Sequence, residues 1–326
     1  MFTSVIAARR RAVPVLALLT TAVVTGCGGP APAATTAAES GFPLTISSCG
    51  RDVTFTSAPQ RVVTVGSIAA PLIAAAGAAD RIVTRTFEAA AFPGEYADAL
   101  HDIEITAPTA ELAREEIISR SPDLVVSVEG LTVSHEDLAQ VNIPLIVNRG
   151  YCKDAAGTFA DTFADIELYG KLFGTAEAAD AEVATLRQRV QAVTDKHSGT
   201  TASRPGATLI LSRDGAQLKA YGSKSTVHEQ MRILGLDNIY GDIAKRNFEA
   251  NTETLIAADP AVIILLTQGD QTPDEVRTTL RQRPELAGLQ AIRDNRIIVV
   301  PFGYTGPGPV AVEGLEVLDR ELTALR

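Results

Sequence analysis

Two carboxylates open the same phrase in distant parts of the chain. "EEIISRSPDLVV" (115–126) and "ETLIAADPAVII" (253–264) both read Glu, one spacer, an apolar pair, three residues, Pro and an apolar run. The offset holds throughout: 253 − 115 = 138 and 260 − 122 = 138, matching Glu115 to Glu253 and Pro122 to Pro260. An acid in the first turn of a helix is favoured by the helix dipole, and an apolar run after Pro reads as a buried strand. Other chemistry is hard to assemble. The four histidines, His101, His135, His197 and His228, are dispersed, and no Gly-x-Ser-x-Gly elbow occurs. "HEQMR" places Arg232 where a zinc-protease helix needs its second His. "GSKST" (222–226) approaches a phosphate loop, but Leu218 and Ser223 stand at the required glycines. The residues argue against an enzyme, a resident metal and a bound cofactor.

The elements that must position the two phrases alternate between strand and helix. "FPLTISSCGRDVTFTSAP" has hairpin alternation with its turn near Gly50 to Asp52. "RVVTVGS" reads as a strand, "IAAPLIAAAGAAD" as a helix closed by Gly77, and "RIVTRTF" as a strand. After the first phrase, "SHEDLAQV" predicts a helix capped by Ser134, followed by strand "PLIVNR". Residues 158–197 are helical throughout. Ala179, Val183, Leu186, Val190 and Val193 make one apolar stripe on a helix of about 20 residues, roughly 30 Å long. That helix bridges two lobes or packs along one. The pattern then restarts, with a strand pair around Asp214-Gly215 and a helix-Gly-strand unit in which Gly235 answers Gly77. After the second phrase, "PELAGLQAIRDNRIIVVPF" and an amphipathic helix striped by Val312, Leu315, Leu318 and Leu322 close the chain. Such alternation predicts parallel sheets covered by helices, in two similar lobes.

The first residues carry Arg9 to Arg11, an apolar stretch over 12–24 and then "TGC", the plan of a secretory signal. Val24 to Cys27 resembles a bacterial lipobox, so residues 1–26 are expected to be removed and Cys27 lipidated. Residues 27–41, small, polar and Pro-containing, predict a flexible tether spanning about 20 Å. Of three cysteines, Cys27 goes to lipid. Cys49 and Cys152 are left as a disulfide in an oxidising compartment, or as two buried thiols. The chain's net charge is −10, and loss of three arginines takes the mature protein to −13. An acidic exterior argues against nucleic acid and anionic lipid as partners.

"APQRVVTV", "AREEIISRSPDLVV", "DIELYGKLFGTAEAADA", "NFEANTETLIAADPAVIIL" and "LQAIRDNRIIVVPF" together resemble the iron-siderophore and vitamin B12 class of substrate-binding lipoproteins of ABC importers. The resemblance covers about residue 59 to the end, in the family's order. It implies an α/β fold of two Rossmann-like lobes joined by one long backbone helix, the class III periplasmic-binding-protein fold. The expected division is a signal at 1–26, a tether at 27–41 and a binding domain at 42–326. Within that domain the N-lobe is expected at about 42–157, linker helices at 158–198 and the C-lobe at 199–326. It further implies a monomeric receptor, lipid-anchored on the extracytoplasmic face of the cell membrane. The receptor would pass an iron(III)-siderophore to a permease dimer with its ATPase subunits, with haem or cobalamin as alternative cargo. In the family a Glu at a helix start in each lobe docks on the permease, and the matching residues are Glu115 and Glu253. Because Ala113 stands where the family often has a capping Asn, the first helix is expected to start earlier, near Thr109, with Glu116 a competing candidate. Ligand in such folds lies outside the carboxyl ends of the strands. This selects Ser67, Arg85, Phe87, Tyr221, Arg246, Phe248 and Tyr304, whose guanidinium and aromatic groups suit the oxygen-rich shell of a chelated ferric ion.

Overall fold

The computed structural model describes residues 41–88, 94–107, 112–128, 130, 133–199 and 203–325. The expected signal, Cys27 and all but the end of the tether lie outside the described residues. The described chain opens with hairpin β1 (Leu44–Ser48) and β2 (Arg51–Phe55), turned at Cys49 and Gly50, both at positive φ. The first lobe follows with β3 (Val62–Val65), α1 (Ala69–Ala75), β4 (Ile82–Thr86) and α2 (Tyr96–Leu100). It continues through α3 (Arg114–Ser119), β5 (Leu124–Ser127), α4 (His135–Ala139) and β6 (Leu145–Val147). Helices α5 (Phe159–Phe173) and α6 (Ala176–His197) lead to the second lobe. That lobe holds β7 (Arg204–Leu211), β8 (Leu218–Tyr221), α7 (Thr226–Ile233), β9 (Leu236–Asn238), β10 (Asn247–Glu249) and α8 (Thr252–Ala258). It ends with β11 (Val262–Thr267), α9 (Pro273–Arg281), α10 (Gln290–Arg293), β12 (Ile297–Pro301) and α11 (Val310–Ala324).

Among the described residues the first lobe's strands pair in the order β4-β3-β5-β6, all parallel. The second lobe's sheet runs β10-β8-β7-β11-β12, with β9 also on β7 and with β8 antiparallel to both β7 and β10. Strands β3, β5 and β11 are buried at every position. Their uninterrupted Val, Ile and Leu reflect helices covering both faces. The fold is therefore α/β, two Rossmann-like lobes joined by a long backbone helix.

The repeated phrase is a repeated structure. Helix α3 begins one residue after Ala113 and α8 one residue after Asn251, so Glu115 and Glu253 both take the second helical position. The start expected near Thr109 is thereby corrected: Ala113 is extended (φ −61°, ψ 150°), and the helix begins at Arg114 without a side-chain cap. Asn251 Oδ1 does cap α8, accepting from the Thr254 amide at 3.0 Å. Each helix ends near a residue forced left-handed, Ser121 (φ 49°) and Asp259 (φ 39°), immediately before the proline. Strands β5 and β11 then start 138 residues apart (262 − 124). A left-handed residue followed by Pro is a general way to stop a helix and redirect the chain.

The expected linker is a pair of antiparallel helices. Thr158 caps α5 in a reciprocal box with Asp161, and Gly174 (φ 75°) ends it. Helix α6, 22 residues and about 33 Å long, begins against the first lobe, where Thr175 Oγ1 donates to the Ala76 carbonyl at 2.6 Å. It finishes on α11, where His197 Nε2 and Lys196 Nζ meet the Asp319 carboxylate at 2.7 and 2.6 Å. Ala179, Val183, Leu186 and Val193 are buried along it, and Val190 is half-buried. One apolar cluster runs from Val62 and Leu72 in the first lobe through Ile166 and Leu186 to Val300 and Leu322 in the second. A core continuous through both lobes leaves little freedom for a wide hinge motion. Two helices escaped the sequence reading: the short α2 and α9, whose Thr272 and Glu275 form a capping box legible as "TPDE".

The hairpin is fixed to the first lobe by a disulfide between Cys49 and Cys152. Ser48 Oγ adds two bonds to Val147, accepting from its amide at 2.8 Å and donating to its carbonyl at 3.3 Å. Among the described residues no helix is long and apolar enough to cross a membrane.

Candidate functional site

A cavity of about 530 Å³ opens where the carboxyl ends of the parallel strands in the two lobes face one another. The first lobe supplies Gly66 and Ser67 after β3, Phe87 after β4, Val128 after β5 and Tyr151 after β6. Gly66 is at φ 91°, and a Cβ there would press on Val128 at 3.2 Å, so the two loops meet closely at this wall. Phe87 is held at φ 54°, a conformation rare for a bulky side chain, with its amide bonded to the Ala107 carbonyl. Such strain persists where the surroundings impose it, commonly at binding sites.

The second lobe supplies Ser212 and Arg213 after β7, Lys219 and Tyr221 from one face of β8, and Asn247 from β10. Gln268 follows β11 and Phe302 follows β12. Lys219 and Tyr221 share the cavity because strand side chains alternate with a period of two.

Tyr151 and Asn247 also line a second basin, of about 630 Å³, bounded by Lys153, Lys224, Lys245 and Arg246. The Arg246 guanidinium stacks 4.3 Å above the Tyr151 ring and donates to the Gly150 carbonyl. Burial pulls the Arg246 pKa down, while Tyr151 and Tyr221 partly offset that. Burial likewise pushes the Tyr151 hydroxyl up. Among the described lining residues of both basins there is no Asp or Glu, in a chain whose net charge is −10.

The structure brings Ser67, Phe87 and Tyr221 together in the first basin and sets Arg246 behind Tyr151 on the second. Arg85, Phe248 and Tyr304 are not among the lining residues of either basin. Arg85 is buried in an ion pair with Glu88 at 3.1 Å and also bonds the Ile103 carbonyl, so its charge is spent inside the lobe. Desolvation pushes Glu88 up to about 7. Phe248 follows Asn247 on β10, and the pleat turns it to the opposite face, where it packs edge-on against Tyr240 at 5.4 Å. Tyr304 lies in the turn after β12 and donates to Glu313 at 2.8 Å, leaving Phe302 at the cavity. Glu115 and Glu253 are both exposed.

Lys219, Asn247, Gln268 and Phe302 are legible in part: Asn247, Gln268 and Phe302 sit in strand-end segments at 245–248, 266–269 and 301–304, and Lys219 lies two residues before Tyr221 on a strand. Tyr151 carried no such signal. Its place depends on a short 3-10 turn and on the disulfide at the next residue. Among the described residues no three His, Cys, Asp or Glu side chains converge as a metal-ligand set.

Residues 62–304 match the family described as periplasmic binding protein. The chain belongs to that family. This periplasmic binding protein is 35% identical to an ABC-type Fe3+-hydroxamate transport system protein from Saccharomonospora viridis, with a TM-score of 0.76, covering 86% of this chain and 99% of that one. Two other solved structures share the fold. One is a periplasmic binding protein from Veillonella parvula (18% identity, TM-score 0.75, covering 86% and 97%). The other is a periplasmic heme-binding protein from Roseiflexus (21%, 0.66, covering 82% and 99%). No curated protein sequence matches the chain.

Proposed function

We propose that this protein is a lipid-anchored extracytoplasmic receptor that holds an iron(III)-siderophore complex between its lobes and delivers it to an ABC importer permease. The observation that carries the reading is the first basin: aromatic faces of Phe87, Tyr151, Tyr221 and Phe302 around Lys219 and amides, with no acid among the described lining residues. A ferric chelate presents an apolar periphery around a ring of oxygens bearing negative charge. Aromatic walls with a few cationic and amide donors match that pattern. The chelator satisfies the iron, so the protein need only hold the chelate. The relative at 35% identity is a Fe3+-hydroxamate transport protein, which supports hydroxamates as the chelator class. Cys27 carries the lipid in this reading. Glu115 and Glu253, at equivalent helical positions in the two lobes, dock on the permease.

Haem is the second reading, because Tyr151 and Tyr221 line the basin and tyrosinate is a known haem ligand. Burial works against it by raising the Tyr151 pKa, which disfavours the tyrosinate form. The test is the visible spectrum of the purified protein after incubation with ferric hydroxamate, ferric catecholate, haem or cobalamin and removal of free ligand. The expected result is retention of the ferric hydroxamate charge-transfer band. Retention of haem alone, seen as a Soret band, would overturn the reading.

A further inference from the structure

The second basin adjoins the first at Tyr151 and Asn247, and its chemistry differs from the first. Its described wall has four cations, Lys153, Lys224, Lys245 and Arg246, and no aromatic residue beyond the shared Tyr151. Lys224 meets Asp154 at 3.3 Å, but Asp154 is 93% exposed, so that pair is solvent-screened and weak. Among the described residues no carboxylate lies within ion-pair distance of Lys153, Lys245 or Arg246.

Arg246 is the informative member. Its guanidinium is withdrawn from water, and stacking on Tyr151 with one bond to a carbonyl compensates only part of that cost. The wall that carries it is built rigidly. A Cβ at Gly222 would strike the Ile243 carbonyl at 2.2 Å and the Lys245 carbonyl at 2.7 Å, so only Gly lets the 243–246 segment seat on the end of β8. The amides of Gly222, Ser223 and Lys224 then bond back to the carbonyls of Arg246, Ile243 and Lys245. Gly157, at φ 63°, leaves just enough room for the Arg246 guanidinium. A preorganised cation without a counter-ion, beside two exposed lysines, is a place for a ligand carboxylate.

We propose that the basin beyond Tyr151 is a second binding site that takes a free carboxylate carried on the periphery of the cargo. The preferred cargo is then a ferric chelate with a pendant carboxylate arm, rather than a neutral chelate. The chelate sits in the first basin, and the arm passes Tyr151 and Asn247, the residues common to both. This assignment rests on the chelate reading proposed above.

The test uses two ferric complexes of one linear trishydroxamate, its terminal amine either succinylated or acetylated, so that the pair differs by one carboxymethyl group and hence one negative charge. Affinities are measured by calorimetry on the full mature chain. The succinylated complex is expected to bind about tenfold more tightly, equivalent to about 1.4 kcal/mol. The double variant Lys153→Gln/Lys245→Gln, both exposed and outside the first basin, is expected to lose that preference while binding the acetylated complex as the parent does. Acetate at about 10 mM should leave the preference intact, because the tethered carboxylate is presented at a high effective concentration. Equal affinity of the parent for the two complexes overturns the second site and leaves the chelate reading standing. So does a preference that survives undiminished both in the double variant and in Arg246→Gln, and abolition by acetate points instead to a free-anion site. Failure of both complexes to bind removes the chelate reading and the carboxylate site with it.

Discussion

Replacing Cys49 and Cys152 together by Ser separates two roles of one bond. The disulfide closes a loop of sequence separation 103. The chain-entropy relation gives about 16 cal/mol/K for such a loop, or about 4.7 kcal/mol at 25 °C. That stabilisation acts on the unfolded chain, so little of the native structure should change. The hairpin keeps its two Ser48 bonds to Val147, and its core residues Ile46 and Phe55 stay 2% and 5% exposed. Tyr151, next to the lost bond, keeps three supports: the Arg246 bond to Gly150, the Arg246 stack, and the Asp165 carboxylate accepting from the Arg149 amide at 2.8 Å. The expected outcome is a fall of about 3–5 kcal/mol in unfolding free energy by urea titration at an unchanged slope, with chelate affinity altered less than about threefold. A loss below about 1 kcal/mol would refute the loop-closure reasoning. A normal stability loss with affinity collapsed would refute the claim that Tyr151 is independently held.

Asp165 is buried, which pushes its pKa up to about 7, with the Arg149 amide and guanidinium opposing. Because the folded state holds this proton more tightly than the unfolded state, its stabilising contribution is complete below about pH 4 and is lost as pH rises towards 7. Asp165→Asn, whose amide oxygen still accepts from Arg149, should therefore gain on the parent by up to about 4 kcal/mol between pH 4 and 8 in urea titrations, and parallel profiles would contradict this. Lys219→Ala should weaken ferric chelate binding about tenfold by calorimetry, from loss of one charge-assisted contact of about 1.5 kcal/mol. Tyr304→Phe, which loses only its bond to Glu313, should bind chelate as the parent does and lose about 1 kcal/mol of stability. Glu115→Ala/Glu253→Ala should abolish cellular iron uptake while chelate affinity holds, since both side chains are exposed on helix starts outside both basins, and undiminished uptake would remove the docking assignment.

The fold was legible because its signals are local and repeated. Apolar runs such as "LVVS" and "VIILLT" become strands buried on both faces, and glycines such as Gly77 and Gly235 do stand at positive φ after their helices. The start of α3 was not legible, because Ala113 offers no side chain to cap it and only the backbone turn at that residue sets the boundary. The cleft was legible as a set of loops rather than as side chains. Strand ends can be read from pattern, but which of two neighbours faces the cavity depends on pleat phase and turn type. On β10 the pleat gave Asn247 to the cavity and Phe248 to the core, and after β12 a 3-10 turn gave it Phe302 and withdrew Tyr304. Arg85 reads in the sequence as an available charge, but its partner Glu88 lies three residues on and pairs with it only through the fold.

The central claim is that iron, inside its chelator, sits between the lobes against Phe87, Tyr151, Tyr221 and Lys219. An anomalous-difference map at the iron edge, from crystals grown with a ferric trishydroxamate, tests this most directly. The account predicts one peak in the 530 Å³ basin, with the chelate's apolar rim on the aromatic side chains. A peak elsewhere on the protein, or bound iron stripped of its chelator and coordinated by side chains, would contradict it.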